Sequence, residues 1–147
     1  MLFELSVKNF AIIEDINLKF NSGMTVLTGE TGAGKSLIID TISLLLGARA
    51  DSDMIRYNES KAIVNGVFSH NSLLDEIFNK NNIKILDTIT VYREIIDSSR
   101  NVIKINDTNV TLQLLKTISN YLADIHIQND TRSDYTYKRY KCTLLIV

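Results

Sequence analysis

One stretch of the chain combines residue types that bind phosphate. It consists, in order, of Gly29, Glu30, Thr31, Gly32, Ala33, Gly34, Lys35 and Ser36. This order fits the P-loop pattern G-x-x-x-x-G-K-[ST], in which glycines let the backbone curl so that its N–H groups point at an anion. The lysine would reach the β- and γ-phosphates, and the serine hydroxyl would coordinate a Mg²⁺ ion that bridges them. The motif therefore predicts binding of a nucleoside triphosphate together with magnesium.

Hydrolysis of such a ligand needs a further acidic group, for which the sequence offers only weak matches. P-loop ATPases usually place an Asp, often followed by Glu, after an apolar strand, where it holds Mg²⁺ and polarises water. The nearest match is Leu73–Glu76, but only two apolar residues precede its acids, and it falls in a predicted surface helix. Residues Asn79–Asn82 begin like a guanine-recognition motif but lack the Asp that reads the base. The sequence thus predicts no catalytic residue and disfavours a GTPase.

The elements around the motif match the context that a P-loop requires, with a strand before it and a helix after it. Met24–Thr28 is a short, mostly apolar run that is typical of a strand buried on both faces. Lys35–Leu46 is predicted to be a mostly buried helix, with a narrow polar edge at Asp40, Thr41 and Ser43 and a glycine directly after it. The start of this helix adds the positive end of its dipole to the phosphate cradle.

Periodic patterns predict the remaining elements. Phe3, Leu5 and Val7 alternate with polar residues, and residues 16–20 repeat this pattern, which predicts two half-buried strands. Further strands are predicted at Ala62–Ser69, Thr88–Ile96, Asn101–Asn106 and Ala123–Gln128, and helices at Ser72–Asn79 and Thr111–Leu122. The strands between residues 62 and 106 are expected to form a small antiparallel unit beside the main sheet. The predicted fold is α/β, with a mixed sheet around the helix that follows the P-loop.

Composition places the chain among folded, soluble proteins. Its 147 residues are 45% hydrophobic and 22% charged, which suits one domain or one lobe of a larger domain. The formal charge of −1 gives no electrostatic footprint for nucleic acid. A single cysteine, Cys142, excludes an internal disulfide, and no apolar run approaches the roughly 20 residues that span a bilayer. We therefore expect a cytoplasmic protein with no membrane partner.

Several segments together carry a resemblance to a known family. They are Met1–Phe20 with Lys8–Glu14, Thr28–Ser36, Ile38–Asp40, Ser52–Arg56, Tyr92–Ile95, Ile105–Asn106, Val110–Leu112 and Asp124–Gln128. In these segments the chain resembles the bacterial RecN family of DNA repair ATPases, which is related to SMC proteins. The resemblance implies that residues 1–130 form the N-terminal part of an ABC/SMC-type P-loop NTPase head, with an adjacent antiparallel β unit. Residues 131–147 depart from the family pattern and resemble a truncated or frameshifted end.

The same resemblance implies ligands, partners and further site residues. It implies ATP and Mg²⁺ as ligands, with Gln128 matching by position the family glutamine that touches Mg²⁺ and the attacking water. The family's usual Asp-Ile-His-Gly-Gln has Ile127 in place of glycine here. Arg56 resembles a family arginine near the nucleotide. In that family two heads sandwich ATP, so the implied partners are a second head, which supplies the signature motif, and DNA, with a nucleoid-associated location. Because this chain has no Walker B strand or signature motif, it is not expected to hydrolyse ATP alone.

Three hypotheses of function follow. The first is Mg·ATP binding by the N-terminal part of such a head, with a role in DNA repair and recombination, including double-strand break repair, implied by the resemblance. The second is a non-catalytic truncated chain with no activity of its own, which acts, if at all, by docking to full-length heads. The third is a part of another ABC-type ATPase, such as a transporter subunit. The tyrosine-rich and basic tail after residue 130 is open to two interpretations, an unstructured end or a nucleic-acid contact.

Overall fold

The computed structural model describes residues 1–27, 34–97, 100–126 and 142–145, which form a large antiparallel sheet with helices packed on it. The strands are β1 (Leu2–Phe10), β2 (Ile13–Lys19), β3 (Ala62–Ser69), β4 (Thr88–Ile95), β5 (Asn101–Ile105), β6 (Thr108–Asn109), β7 (Ala123–His126) and β8 (Cys142–Leu145). The helices are α1 (Lys35–Leu45), α2 (Asp75–Lys80) and α3 (Leu112–Ser119), with short 3₁₀ turns at Ser52–Met54 and Ser72–Leu74.

Six strands make one sheet in the order β2-β1-β3-β4-β5-β6, with every pair antiparallel. The predicted antiparallel unit is confirmed, and it is larger than expected, because β1 pairs on one side with β2 and on the other with β3 and so joins both to it. Val7, for example, lies opposite both Ile16 and Val64. The antiparallel sheet is thus the main layer of the described fold, and α1 packs against two of its interior strands, β3 and β4.

Alternation along the strands separates a buried face from an outer face. Every second residue of β3 and β4 is buried, and the intervening residues are partly exposed. In β1 the predicted pattern fails at its start, because Leu2 is buried while Phe3 is 39% exposed. The register between β1 and β3 shifts between Leu2 and Glu4, so Phe3 occupies a bulge and the alternation changes face there.

Helix α1 begins at the predicted residue and ends at Leu45, one residue before the predicted end. It starts at Lys35, and the chain leaves it at Gly47, whose φ of +94° is a conformation that favours glycine. Ile42, Leu44 and Leu45 are buried against the sheet. Thr41 was predicted on a polar edge, but it is fully buried because its hydroxyl donates to the Ile38 carbonyl at 2.7 Å and so needs no water.

The predicted strand before the P-loop is absent from the described residues of that segment. Residues 24–27 form no ladder, and Met24 and Val26 are 88% and 66% exposed. An apolar run becomes a strand only when a neighbour takes up its backbone hydrogen bonds. Both edges of β1 are occupied by β2 and β3, and the described partner of β7 is β8. Thr28 lies outside the described residues.

The return strand after α3 is confirmed as far as His126, the last described residue of that segment. It pairs in parallel with β8, so that Ala123 lies opposite Cys142 and His126 opposite Leu145. Strand β8 comes from the tail, to which the sequence patterns assigned no element. Among the described residues, no helix is long and apolar enough to cross a membrane.

Candidate nucleotide-binding site

The N-terminal end of α1 is arranged to accept an anion. Gly34 is the residue that caps the helix, and no side chain bonds to the free N–H groups of the first turn. That turn contains no acidic residue that would offset the helix dipole, which places roughly half a positive charge at this end. Gly34 and Ser36 are both exposed. A negatively charged group can therefore reach these N–H groups and the serine hydroxyl directly.

The described residues include only the last part of the predicted motif. Lys35 is the first residue of α1, and the description covers its backbone but not its side chain. Residues 28–33 lie outside the described residues, and with them Gly29, Glu30, Thr31, Gly32 and Ala33. Gln128 also lies outside them. The roles of Lys35 and Ser36 in phosphate and metal binding, and of Gln128 in metal binding, thus stay predictions.

The opposite end of α1 receives a buried guanidinium. Arg93 of β4 is 1% exposed, and its Nη1 donates to the carbonyl oxygens of Leu44 at 2.8 Å and Ala48 at 3.2 Å. Burial lowers the pKa of Arg93 to about 10, which leaves the side chain protonated at neutral pH. Its positive charge therefore faces the negative end of the α1 dipole.

Arg93 was not among the functional residues predicted from the sequence, although the sequence carries a signal for it. Strand β4 alternates, and Arg93 falls on the same face as Ile89, Val91 and Ile95, which are all fully buried. A charged residue in register with three buried apolar residues predicts a buried charge that needs a partner. The partner, the carbonyl end of α1, is distant in sequence and could not be identified from the pattern.

Two glycines allow neighbouring elements to approach the C-terminal end of α1 closely. A Cβ at Gly66 of β3 would lie 2.5 Å from Leu45 Cδ1 and 3.1 Å from Phe68 Cε2. A Cβ at Gly47 would lie 2.6 Å from Cγ of Lys116, which belongs to α3. The sheet and α3 thus both pack against this end of the helix, while Gly34 and Ser36 at its N-terminal end are exposed.

Arg56, which the family resemblance implied near the nucleotide, lies in a segment that pairs with the end of β1. Ile55 forms an isolated bridge with Phe10, and the N–H group of Arg56 donates to the Asn9 carbonyl at 2.9 Å. The Arg56 guanidinium lies 3.4 Å from a carboxylate oxygen of Glu14, and both side chains are accessible to solvent. A contact of Arg56 with phosphate stays a prediction.

The acidic pair of Leu73–Glu76 lies at the protein surface, as the sequence favoured. Asp75 pairs with Nε2 of His70 at 3.1 Å, and Glu76 pairs with Lys80 at 2.7 Å, one turn along α2. The hydrogen bond from Lys80 lowers the pKa of Glu76. These local pairs are typical of a solvated helix face.

Comparison with known proteins supplies the family. A profile described as AAA domain matches residues 4–141. The chain belongs to this AAA domain family. It is also similar to the DNA repair protein RecN of Bacillus subtilis, with 46% identity over 136 residues, which cover 90% of this chain and 23% of that protein. The resemblance to the RecN family is thereby confirmed. The chain spans about a quarter of the length of the curated relatives it matches.

The fold of this chain is also similar to that of solved structures. The SMC head domain from Thermotoga maritima matches with a TM-score of 0.61 and 27% identity, over 80% of this chain and 41% of that one. The recombination mediator protein RecF, solved as RecF-ATP, matches with a TM-score of 0.67 and 19% identity, over 86% of this chain and 32% of that one. The predicted fold class, the N-terminal part of an SMC-type P-loop NTPase head, is confirmed.

Proposed function

We propose that this chain binds Mg·ATP through Gly29–Ser36. The observation that carries the proposal is the N-terminal end of α1, which begins at Lys35, directly after the glycines of the motif, and has no capping side chain. Such an end leaves up to four N–H groups without partners inside the helix. A triphosphate would satisfy these donors and interact favourably with the helix dipole.

The charge distribution along α1 supports an anionic ligand at this position. Its first turn has no acidic residue that would repel phosphate, and the Ser36 side chain is exposed at the place where a P-loop serine coordinates Mg²⁺. Lys35 would add a mobile positive charge that contacts the β- and γ-phosphates. The name RecF-ATP shows that a protein with a similar fold was solved with ATP.

The wider role that we infer is that of the N-terminal part of a DNA repair ATPase head. It rests on the relatives named DNA repair protein RecN and on the SMC head fold. In this proposal residues 1–130 belong to the head and residues 131–147 are a divergent tail. A second head supplies the signature motif, Gln128 contacts Mg²⁺, and hydrolysis requires that second head. DNA is the substrate on which the complete protein acts, which implies a location at the nucleoid in the cytoplasm.

Calorimetric titration of the 147-residue chain with Mg·ATP tests this proposal. The variants are Lys35→Ala and Ser36→Ala, with Lys80→Ala as a control that removes an exposed lysine paired with Glu76. Circular dichroism establishes that each protein is folded at the temperature of the titration. Since a hydrogen bond to a charged group contributes about 1.5–3 kcal/mol, Lys35→Ala is expected to raise Kd by roughly 10- to 150-fold. Lys80→Ala should leave Kd unchanged.

The magnesium dependence separates the two roles within the motif. Ser36→Ala is expected to reduce the gain in affinity that Mg²⁺ gives the wild type, because the hydroxyl is the proposed metal ligand. Lys35→Ala should weaken binding with and without Mg²⁺. Equal Kd values for a folded wild type and Lys35→Ala would refute the proposed site, and a folded wild type that does not bind Mg·ATP would refute the proposed function of this chain.

A further inference from the structure

A guanidinium joins the interior of the sheet to the C-terminal end of the phosphate-binding helix. Arg93 projects from β4, an interior strand between β3 and β5. Its Nη1 donates to the carbonyl oxygens of Leu44, within the last turn of α1, and of Ala48, three residues beyond the end of the helix. The contact therefore lies at the end of α1 opposite to the motif.

The surroundings of Arg93 are otherwise apolar. Its neighbours across the sheet are Val64 and Ile103, and it is the one charged residue among those whose side chains the structure describes as buried. No carboxylate whose side chain the structure describes forms an ion pair with it. The compensation for its buried charge comes from main-chain carbonyls at the negative end of a helix dipole. An apolar side chain of similar volume would fill the same space without this desolvation cost.

We propose that Arg93 is a positioning residue that holds α1 in the orientation required for triphosphate binding. The proposal rests on the proposed function and adds a determinant of affinity outside the motif. Helix α1 has 11 residues, which at a rise of about 1.5 Å per residue separates its ends by about 16 Å. Arg93 therefore acts through the helix, because fixing one end of a rigid helix fixes the direction of the N–H groups at the other.

The packing around α1 supports this role. Its C-terminal end lies close to β3 at Gly66 and close to α3 at Gly47, so translation of the helix is limited by steric contact. Its N-terminal end is exposed at Gly34 and Ser36. The hydrogen bonds of Arg93 supply a directional restraint that apolar packing alone does not give. Loss of this restraint would let the open end of the helix sample orientations that fit phosphate poorly.

Titration of the full chain with Mg·ATP tests the proposal with two variants and two controls. Arg93→Met keeps the length of the side chain without its charge or donors, and Arg93→Lys keeps a charged donor. As controls, Arg100→Met removes an exposed arginine that pairs with Asp97. Phe78→Leu weakens the packing of a fully buried side chain of α2 in the hydrophobic core. We expect Arg93→Met to raise Kd about tenfold, which equals about 1.4 kcal/mol, and Arg93→Lys to recover part of this loss. Both controls should bind as the wild type does, at a temperature where circular dichroism shows all of them folded.

Hydrogen exchange of the free protein gives a second readout that does not depend on nucleotide. In Arg93→Met the amides of α1, including its first turn, should exchange faster than in the wild type, while those of α3 keep their rates. An unchanged Kd in folded Arg93→Met, or an equal increase in Phe78→Leu, would overturn the proposal. If the wild type binds no Mg·ATP, the proposed function fails by itself. Faster exchange confined to α1 would then still support the anchoring role of Arg93, and unchanged exchange would overturn it.

Discussion

Substitution of Gly66 tests whether close packing of α1 against β3 requires glycine at this position. Replacing Gly66 with alanine adds a methyl carbon 2.5 Å from Leu45 Cδ1 and 3.1 Å from Phe68 Cε2, whereas carbon atoms in contact prefer about 3.5–4.0 Å. Leu45 and Phe68 are both fully buried, so neither can move into solvent. Gly66→Ala is therefore expected to displace α1 or to force a side chain out of its preferred rotamer.

The expected change in the free energy of unfolding is the difference between two opposing effects of Gly66→Ala. Adding a methyl group to a packed core typically costs about 1–3 kcal/mol. Alanine is favoured over glycine within a strand by about 0.5–1 kcal/mol, because glycine loses more backbone entropy on folding. The difference predicts that Gly66→Ala lowers the free energy of unfolding by about 0.5–2 kcal/mol, which urea denaturation followed by circular dichroism would measure. Asn65→Ala, on the outer face of the same strand, should change it by less than about 0.5 kcal/mol.

A double-mutant cycle with Leu45 isolates the cause. Leu45→Val removes the Cδ1 atom that the new methyl group would meet, so Gly66→Ala should cost less in that background than in the wild type. We expect a coupling of at least about 0.5 kcal/mol between the two sites. If Gly66→Ala stabilises the protein, or costs the same in both backgrounds, then close approach of α1 is not the reason for glycine at this position.

The remaining predictions concern the α3 cap and the outer face of the sheet. Thr111→Ala should lower the free energy of unfolding by about 1 kcal/mol in urea denaturation, because the Thr111 hydroxyl accepts the Leu114 N–H at 3.1 Å and caps α3; Thr117→Ala, within the helix, is the control and should cost less. The pKa of Glu94 is held below its ordinary value of 4.5, chiefly by a hydrogen bond from Lys61, so its stabilising effect is present above that value and is lost as the pH falls through the lowered pKa. Urea denaturation should therefore find Glu94→Gln less stable than the wild type at neutral pH, with the difference shrinking on acidification; a constant difference would contradict this sign.

Local patterns in the sequence predicted most elements but not the connections between them. Alternation and helical periodicity located β3, β4, α1 and α3 to within a few residues, because each buries one face or stripe against the core. The joining of β1 to β3 was not predicted, since strand order depends on contacts between distant segments. The strand predicted at Met24–Thr28 shows the same limit, because an apolar run does not reveal which neighbour will take up its hydrogen bonds.

For the candidate site too, the sequence predicted local structure but not the contacts between distant residues. The sequence predicted the start of α1 at Lys35, because the motif itself defines where the loop ends and the helix begins. It did not predict how the far end of the helix is held. Arg93, Gly66 and Gly47 are separated from one another in sequence and meet only in the folded chain. A charged residue on the buried face of a strand, such as Arg93, is the signal in the sequence that points to such a contact.

Hydrogen exchange with and without Mg·ATP tests most directly whether the nucleotide binds at the start of α1. We predict that Mg·ATP slows exchange of the backbone amides of Gly34–Leu37, at the cap and in the first turn of α1, in the wild type, because the phosphates would accept hydrogen bonds from them. Lys35→Ala at the same ligand concentration should show much weaker protection. Protection of other segments without any change at the start of α1, or equal protection in Lys35→Ala, would contradict the account.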